Sequence, residues 1–190
     1  MSLYPVFFKL EGRCVSLIGG GKLAAEKLRG LNGTGASIKI IAPELSDETR
    51  FWMEKLNCRW IASQFEPCML TGSCLVIAAT DDEFVNNEVR VAAQSRGIPV
   101  NVADRNELCD WYNGSVVSRG DFLLAFSSNG KSPAYLSWMR EQLDTLIPSD
   151  EDEFIAELGE IREKMKIFGL SPAQRSAWFR EKFTELQKSL

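Results

Sequence analysis

The chain of 190 residues contains no histidine. That excludes an imidazole general base, a serine–histidine pair and any zinc site with a histidine ligand within the chain. Acid–base chemistry must therefore fall to carboxylates, lysine, cysteine, tyrosine or solvent. Runs of Lys and Arg are also missing, and with a formal net charge of −4 the chain lacks the basic footprint of a nucleic-acid partner. No apolar run approaches the roughly 18 residues that cross a bilayer. The opening Met1-Ser2-Leu3-Tyr4-Pro5 has neither the basic start nor the apolar core of a secretory leader. The five cysteines (Cys14, Cys58, Cys68, Cys74, Cys109) are odd in number and form no C-x-x-C pair. Reduced, mostly buried thiols in a cytoplasmic, membrane-free protein are the expectation.

What is present begins with a pattern of small residues. Val15-Ser16-Leu17-Ile18 runs straight into Gly19-Gly20-Gly21-Lys22-Leu23-Ala24. This reads as a buried strand, a tight turn and a helix in G-x-G-x-x-A order. Gly19 permits the turn, Gly21 lets a pyrophosphate approach the backbone, and Ala24 lets the helix pack on its strand. The first free N–H groups of that helix would face the anion, so the ligand implied is a dinucleotide.

Up to about residue 105 strands and helices alternate. Strands are expected at Cys14–Ile18, Ser37–Ala42, Arg59–Ala62, Cys74–Ala79 and Pro99–Val102. Helices are expected over Leu23–Leu31, from the Ser46 cap to about Leu56, and to about Ser95 from a capping box of Thr80 and Glu83. Near-continuous apolar strands in regular alternation predict an α/β, Rossmann-like parallel sheet covered on both faces. Its ligands lie beyond the carboxyl ends of the strands.

The pattern then changes. Ser115–Ser118 and Phe122–Ser127 read as strands around Arg119-Gly120-Asp121, and Ser132-Pro133 opens a helix to about Leu146. Two strands and a helix cannot close a core alone, so a second copy of the chain is the economical partner. The acidic Asp150-Glu151-Asp152-Glu153 suits the head of a further helix, and Ser171-Pro172 opens a last one to about Lys188. The expected organisation is a nucleotide-binding domain over 1–113, a small α+β dimerisation region over 114–147 and a helical part over 148–190.

Among residues able to do chemistry, Asp104 ends the fifth strand, in the layer that faces the ligand crevice. It is the candidate general base, although a strand-end Asp also caps loops. Asp81 and Asp82 share that layer and are accounted for as helix caps. An acid for the adenosine ribose is missing directly after the second strand, where Glu44 comes a little late, and no arginine stands there for a 2′-phosphate. NAD is favoured over NADP on that ground.

The stretch Tyr4–Arg13, then Gly19-Gly20-Gly21 with Ala24, Ala78-Ala79-Thr80-Asp81-Asp82 with Asn86, Pro99–Asp104, and Ser127–Pro133, taken in this order, resembles the precorrin-2 dehydrogenase and sirohydrochlorin ferrochelatase family. The resemblance spans roughly residues 4 to 147. It implies oxidation of precorrin-2 to sirohydrochlorin with NAD, in many members followed by insertion of ferrous iron to give sirohaem, by a homodimer. It places the catalytic aspartate on Asp104 and the cofactor contacts on Gly19, Gly21, Lys22, Leu23, Pro43, Glu44 and Thr80. Ser128 matches a serine linked to the iron step. Arg105, Arg119 and Lys131, in loops near the crevice, are candidates for holding the substrate carboxylates, and no metal ligand is assigned. The sequence departs from the family at Gly114, where a proline is expected, and at the bulky pair Trp111-Tyr112. Two other readings fit the residues: a non-catalytic, dimeric module that senses NAD/NADH, and a dehydrogenase of another small substrate.

Overall fold

The computed structural model describes residues 3–189, so Met1 and Ser2 of the leader reading lie outside the described residues. The described residues form two compact units that divide between 113 and 114. In the first, β1 (Cys14–Ile18) is the central strand of a five-stranded sheet with β2 (Ser37–Ile41), β3 (Arg59–Ile61), β4 (Ser73–Ala78) and β5 (Val100–Val102). The order is β3-β2-β1-β4-β5, and every pairing is parallel. The chain leaves β1 toward β2 on one side and returns to β4 on the other. This reversal opens a crevice at the carboxyl ends of β1 and β4.

Strand alternation sorts the core into two layers. Val15, Leu17, Ile38, Ile40, Leu75 and Ile77 face helices α1 (Lys22–Gly30) and α2 (Asp47–Lys55), meeting Ala24, Leu28, Trp52 and Met53. Ile18, Ile41, Val76, Ala78, Val100 and Val102 face the other way, onto α3 (Glu83–Gln94) and the 3-10 turn Pro67–Leu70. Strands buried on both faces need apolar residues at nearly every position, which is why these segments read as continuous runs. Two buried polar residues are exceptions: Ser16 in β1 pairs its hydroxyl with that of Ser73 at 2.7 Å, and the Asn101 amide in β5 donates to the Trp111 carbonyl at 2.9 Å.

Caps set the helix starts. Ser46 accepts the Thr49 N–H at the head of α2, as expected. At α3 only part of the expectation holds: Asp82, one of the two aspartates read as caps, accepts the Phe84 and Val85 N–H groups at 2.8 and 3.3 Å, and Thr80 does not. Thr80 is bound elsewhere, because its hydroxyl accepts the Asp82 N–H and its backbone is held by Asn86.

In the second unit, β6 (Ser115–Arg119) and β7 (Phe122–Phe126) pair antiparallel, with Arg119 opposite Phe122. Gly120, first in the two-residue turn, has φ +52, as hairpin twist requires of that place. A Cβ there would collide with the Asp152 carboxylate, which accepts the Asp121 N–H at 2.6 Å. The acidic patch thus supplies a fastening to the hairpin as well as charge at the head of α5 (Glu151–Ile167). Helix α4 (Pro133–Leu146) is capped by Ser132, whose hydroxyl accepts the Tyr135 N–H. Ser171 and Gln174 form a reciprocal box at the start of α6 (Pro172–Ser189). At the first residue of this unit, a Cβ on Gly114 would stand 2.7 Å from the Phe126 carbonyl oxygen, so the small residue leaves room for that strand.

Candidate functional site

The three glycines after β1 differ in what they accommodate. Gly19 has φ +128, and a Cβ on it would run into the Ala79 carbonyl; one on Gly20 would run into the Glu44 carbonyl. A Cβ on Gly21 would meet no protein atom within 4 Å. Packing therefore explains the first two, whereas the third borders open space at the head of α1. The turn is fastened by Gly19 N–H to the Ile41 carbonyl (3.0 Å), Ser46 N–H to the Gly20 carbonyl (2.8 Å) and the Thr49 hydroxyl to the Gly21 carbonyl (2.9 Å). Thr49 is fully buried, so α2 contributes a polar anchor that the sequence reading did not identify.

Helix α1 begins with Gly21 as its cap, without a side-chain hydrogen bond and without an acid in its first turn. Its leading N–H groups and dipole are thereby left for an anion. Lys22 is exposed in that first turn, and Leu23 packs into the α1–α2 layer of the core.

A cavity of about 770 Å³ opens over this turn. It is walled by Gly19–Gly21, by Pro43, Glu44 and Ser46 after β2, by Ser63, Gln64 and Phe65 after β3, and by Thr80–Asp82 with Val85 and Glu88. Glu44, Asp81, Asp82 and Glu88 give the wall four carboxylates, and no Lys or Arg lines it. The β4 side is stiffened by Asn86, nine-tenths buried, whose amide donates to the Thr80 carbonyl (2.8 Å) while its oxygen accepts from the Thr80 N–H (3.2 Å). Ser63–Phe65 escaped the sequence reading because β3 is only three residues long and no motif follows it.

Asp104 stands two residues beyond β5, exposed, with φ +60. It occupies the third position of a turn closed by Arg105 N–H to the Val102 carbonyl at 3.3 Å. That left-handed backbone is uncommon outside glycine, although aspartate tolerates it better than most. Asp104 is not among the residues that wall the cavity. It lies one strand away, where the Ala103 N–H bonds the Ala78 carbonyl of β4 at 2.9 Å. The next residue, Arg105, binds Glu83 (2.6 Å) and Glu107 (2.8 Å). The Arg105 hydrogen bond holds the Glu107 carboxyl below its ordinary range. This ion cluster ties the turn after β5 to the start of α3.

The remaining candidates belong to the second unit. The Arg119 guanidinium clamps Asp144, through its carboxylate at 3.0 Å and its carbonyl at 2.8 Å, joining β6 to the end of α4. Ser128 accepts the Ser132 N–H at 3.1 Å, in a loop where Asn129 and Gly130 are left-handed at φ 57 and 75. Lys131 is exposed beside it.

Three thiols are held protonated by burial: Cys58 is pushed up to about 11, and Cys74 and Cys109 are raised as well. Among the described residues no helix is long and apolar enough to cross a membrane.

A family profile described as putative NAD(P)-binding matches residues 6–115. A siroheme synthase of Methylobacillus flagellatus is 40% identical over 179 residues, which cover 94% of this chain and 38% of that protein. A siroheme synthase of Photorhabdus laumondii is 37% identical over 183 residues, covering 96% and 39%. The chain thus spans under two-fifths of the length of these curated relatives. Among solved structures, SirC, a precorrin-2 dehydrogenase, superposes with a TM-score of 0.77 at 26% identity, over 94% of this chain and 88% of that one.

Proposed function

The chain belongs to the NAD(P)-binding family of the siroheme synthases and precorrin-2 dehydrogenase, and from that premise we propose that it oxidises precorrin-2 to sirohydrochlorin with NAD. The observation that carries the reading is the open space at Gly21, bordered by an uncapped helix head and joined through β4 to the turn that bears Asp104.

The residues fit a dinucleotide. A pyrophosphate can approach the Gly21 backbone and meet the leading N–H groups of α1, with Lys22 and Leu23 in the same turn. Pro43, Glu44 and Thr80, which wall the same cavity, would hold the rest of the dinucleotide. Four wall carboxylates without a basic residue disfavour a 2′-phosphate, which supports NAD over NADP. Bound NAD would supply the hydride acceptor.

The oxidation removes a hydride and a proton from the reduced macrocycle. In a chain without histidine, the Asp104 carboxylate takes the proton; such a base contributes about 10²- to 10⁴-fold in rate. Arg105, Arg119, Ser128 and Lys131 are proposed to hold the substrate. For the two arginines this means exchanging their present carboxylate partners, Glu83, Glu107 and Asp144, for those of the tetrapyrrole. Ferrous iron would enter as a second substrate, in a step that strips protons from pyrrole nitrogens and suits the same carboxylate. We also assign the chain to the cytoplasm as a homodimer. Val116 and Leu123 on the hairpin and Tyr135 and Trp138 on α4, all about half exposed, are the surface it would cover.

The test is anaerobic incubation with precorrin-2 and NAD, followed by ferrous iron. Sirohydrochlorin absorbance that requires NAD is the expected result, with a sirohaem band after iron if the second step is present. NAD binding without any turnover or tetrapyrrole binding would replace this reading with that of a dinucleotide sensor.

A further inference from the structure

Strand β5 is an edge of the sheet, so its outward N–H and C=O groups have no neighbouring strand to pair with. Two residues past the following 3-10 turn (Asn106–Leu108) take that place. Asp110 pairs with Val100, its carboxylate accepting the Val100 N–H at 3.1 Å and its own N–H donating to the Val100 carbonyl at 2.8 Å. Cys109 does the same for Val102 with its side chain alone. Its sulfur accepts the Val102 N–H at 3.2 Å, and its S–H lies 3.2 Å from the Val102 carbonyl and 3.3 Å from that of Arg105. The Asn101 amide also reaches the sulfur, at 3.5 Å.

We propose that Cys109 is a positioning residue for Asp104, its thiol clasping both ends of the turn that presents the carboxylate. The proposal rests on the assignment of Asp104 as the base. The turn needs an external clasp for two reasons. Its own closing bond, from Arg105 N–H to the Val102 carbonyl, is long at 3.3 Å. Its third residue is held at φ +60 without being glycine, a conformation that persists only where the surroundings over-determine it. A thiol suits the position because it is both donor and acceptor and is content in a half-buried, apolar setting. Burial raises its pKa and keeps the donating proton in place. Cys109 is not among the residues that wall the cavity, so its effect should spare the dinucleotide.

The experiment compares Cys109→Ala, Cys109→Ser and Asp104→Ala in the full chain. The expected result for Cys109→Ala is a kcat lower by about ten- to a hundred-fold, as for a reacting group displaced by about an ångström. NAD affinity should be that of the parent, and the acidic limb of the pH–rate profile should move. Cys109→Ser, which keeps a donor and an acceptor, should restore most of the rate. Amide exchange at Val102 and Arg105, read without substrate, should quicken in Cys109→Ala. An unchanged kcat and pH limb in Cys109→Ala, or unchanged exchange, would overturn the clasp. Full activity in Asp104→Ala would instead remove the base itself, an outcome separable because the exchange measurement does not depend on turnover.

Discussion

At the scale of single residues, the glycine turn divides by what each missing Cβ would meet. Gly19→Ala and Gly20→Ala press a methyl into backbone carbonyls and are expected to lower Tm. Gly21→Ala meets nothing in the protein and is expected to leave Tm within a degree or two while weakening NAD binding, which titration by intrinsic fluorescence would check. The thiols are separable in the same way. Burial pushes Cys58 up to about 11, which disfavours its thiolate, while Cys68 is exposed. Alkylation at pH 8 followed by mass spectrometry should label Cys68 quickly and Cys58 slowly; equal rates would contradict the packing around β3. Residue chemistry was partly legible in the sequence. The Asp104 and Gly21 positions follow from spacing, because strand ends and helix heads are set by local pattern. The ion pairs of Arg105 with Glu83 and of Arg119 with Asp144 are not, because they join residues 22 and 25 apart that only the fold brings together.

At the scale of elements, the strands and helices were legible wherever burial is two-sided or a cap is chemically distinct. β1, β2 and β4 announce themselves as apolar runs, and Ser46, Ser132 and Ser171 as starts. Where two capping residues adjoin, sequence spacing misleads. Thr80 and Glu83 have the spacing of a box, yet Asp82 caps α3, since Thr80 is drawn into the Asn86 clamp on the end of β4. Asn86→Ala should therefore cost more than an ordinary polar truncation. It leaves the Thr80 N–H and carbonyl without their partner beside the cavity, and a loss of about 1–3 kcal/mol in stability is expected, with NAD affinity reduced. Chemical denaturation read alongside NAD titration checks both. Leu28→Ala, in the fully buried face of α1, should cost about 2–5 kcal/mol without a comparable change in NAD affinity measured below the midpoint. The edge of the sheet was invisible from sequence, because a thiol pairing with a strand backbone leaves no periodic signal.

At the scale of the molecule, the division at residue 113 assigns the dinucleotide crevice and the Asp104 turn to one unit, and Arg119, Ser128 and Lys131 to the other. The proposed dimer gives the second unit a reason to bury its half-exposed Val116, Leu123, Tyr135 and Trp138. Trp138→Glu should place a charge in that face and shift the protein toward monomer in sedimentation. A dimer undisturbed by that substitution would move the interface elsewhere.

The most direct measurement is the initial rate of sirohydrochlorin formation by Asp104→Asn beside the parent chain, at saturating NAD and without oxygen. A carboxamide keeps the shape of the turn and removes the basic oxygen. The expected rate is lower by at least about a hundred-fold, with NAD affinity intact. A rate equal to that of the parent would mean that the proton leaves by another route and that the reading of this turn is mistaken.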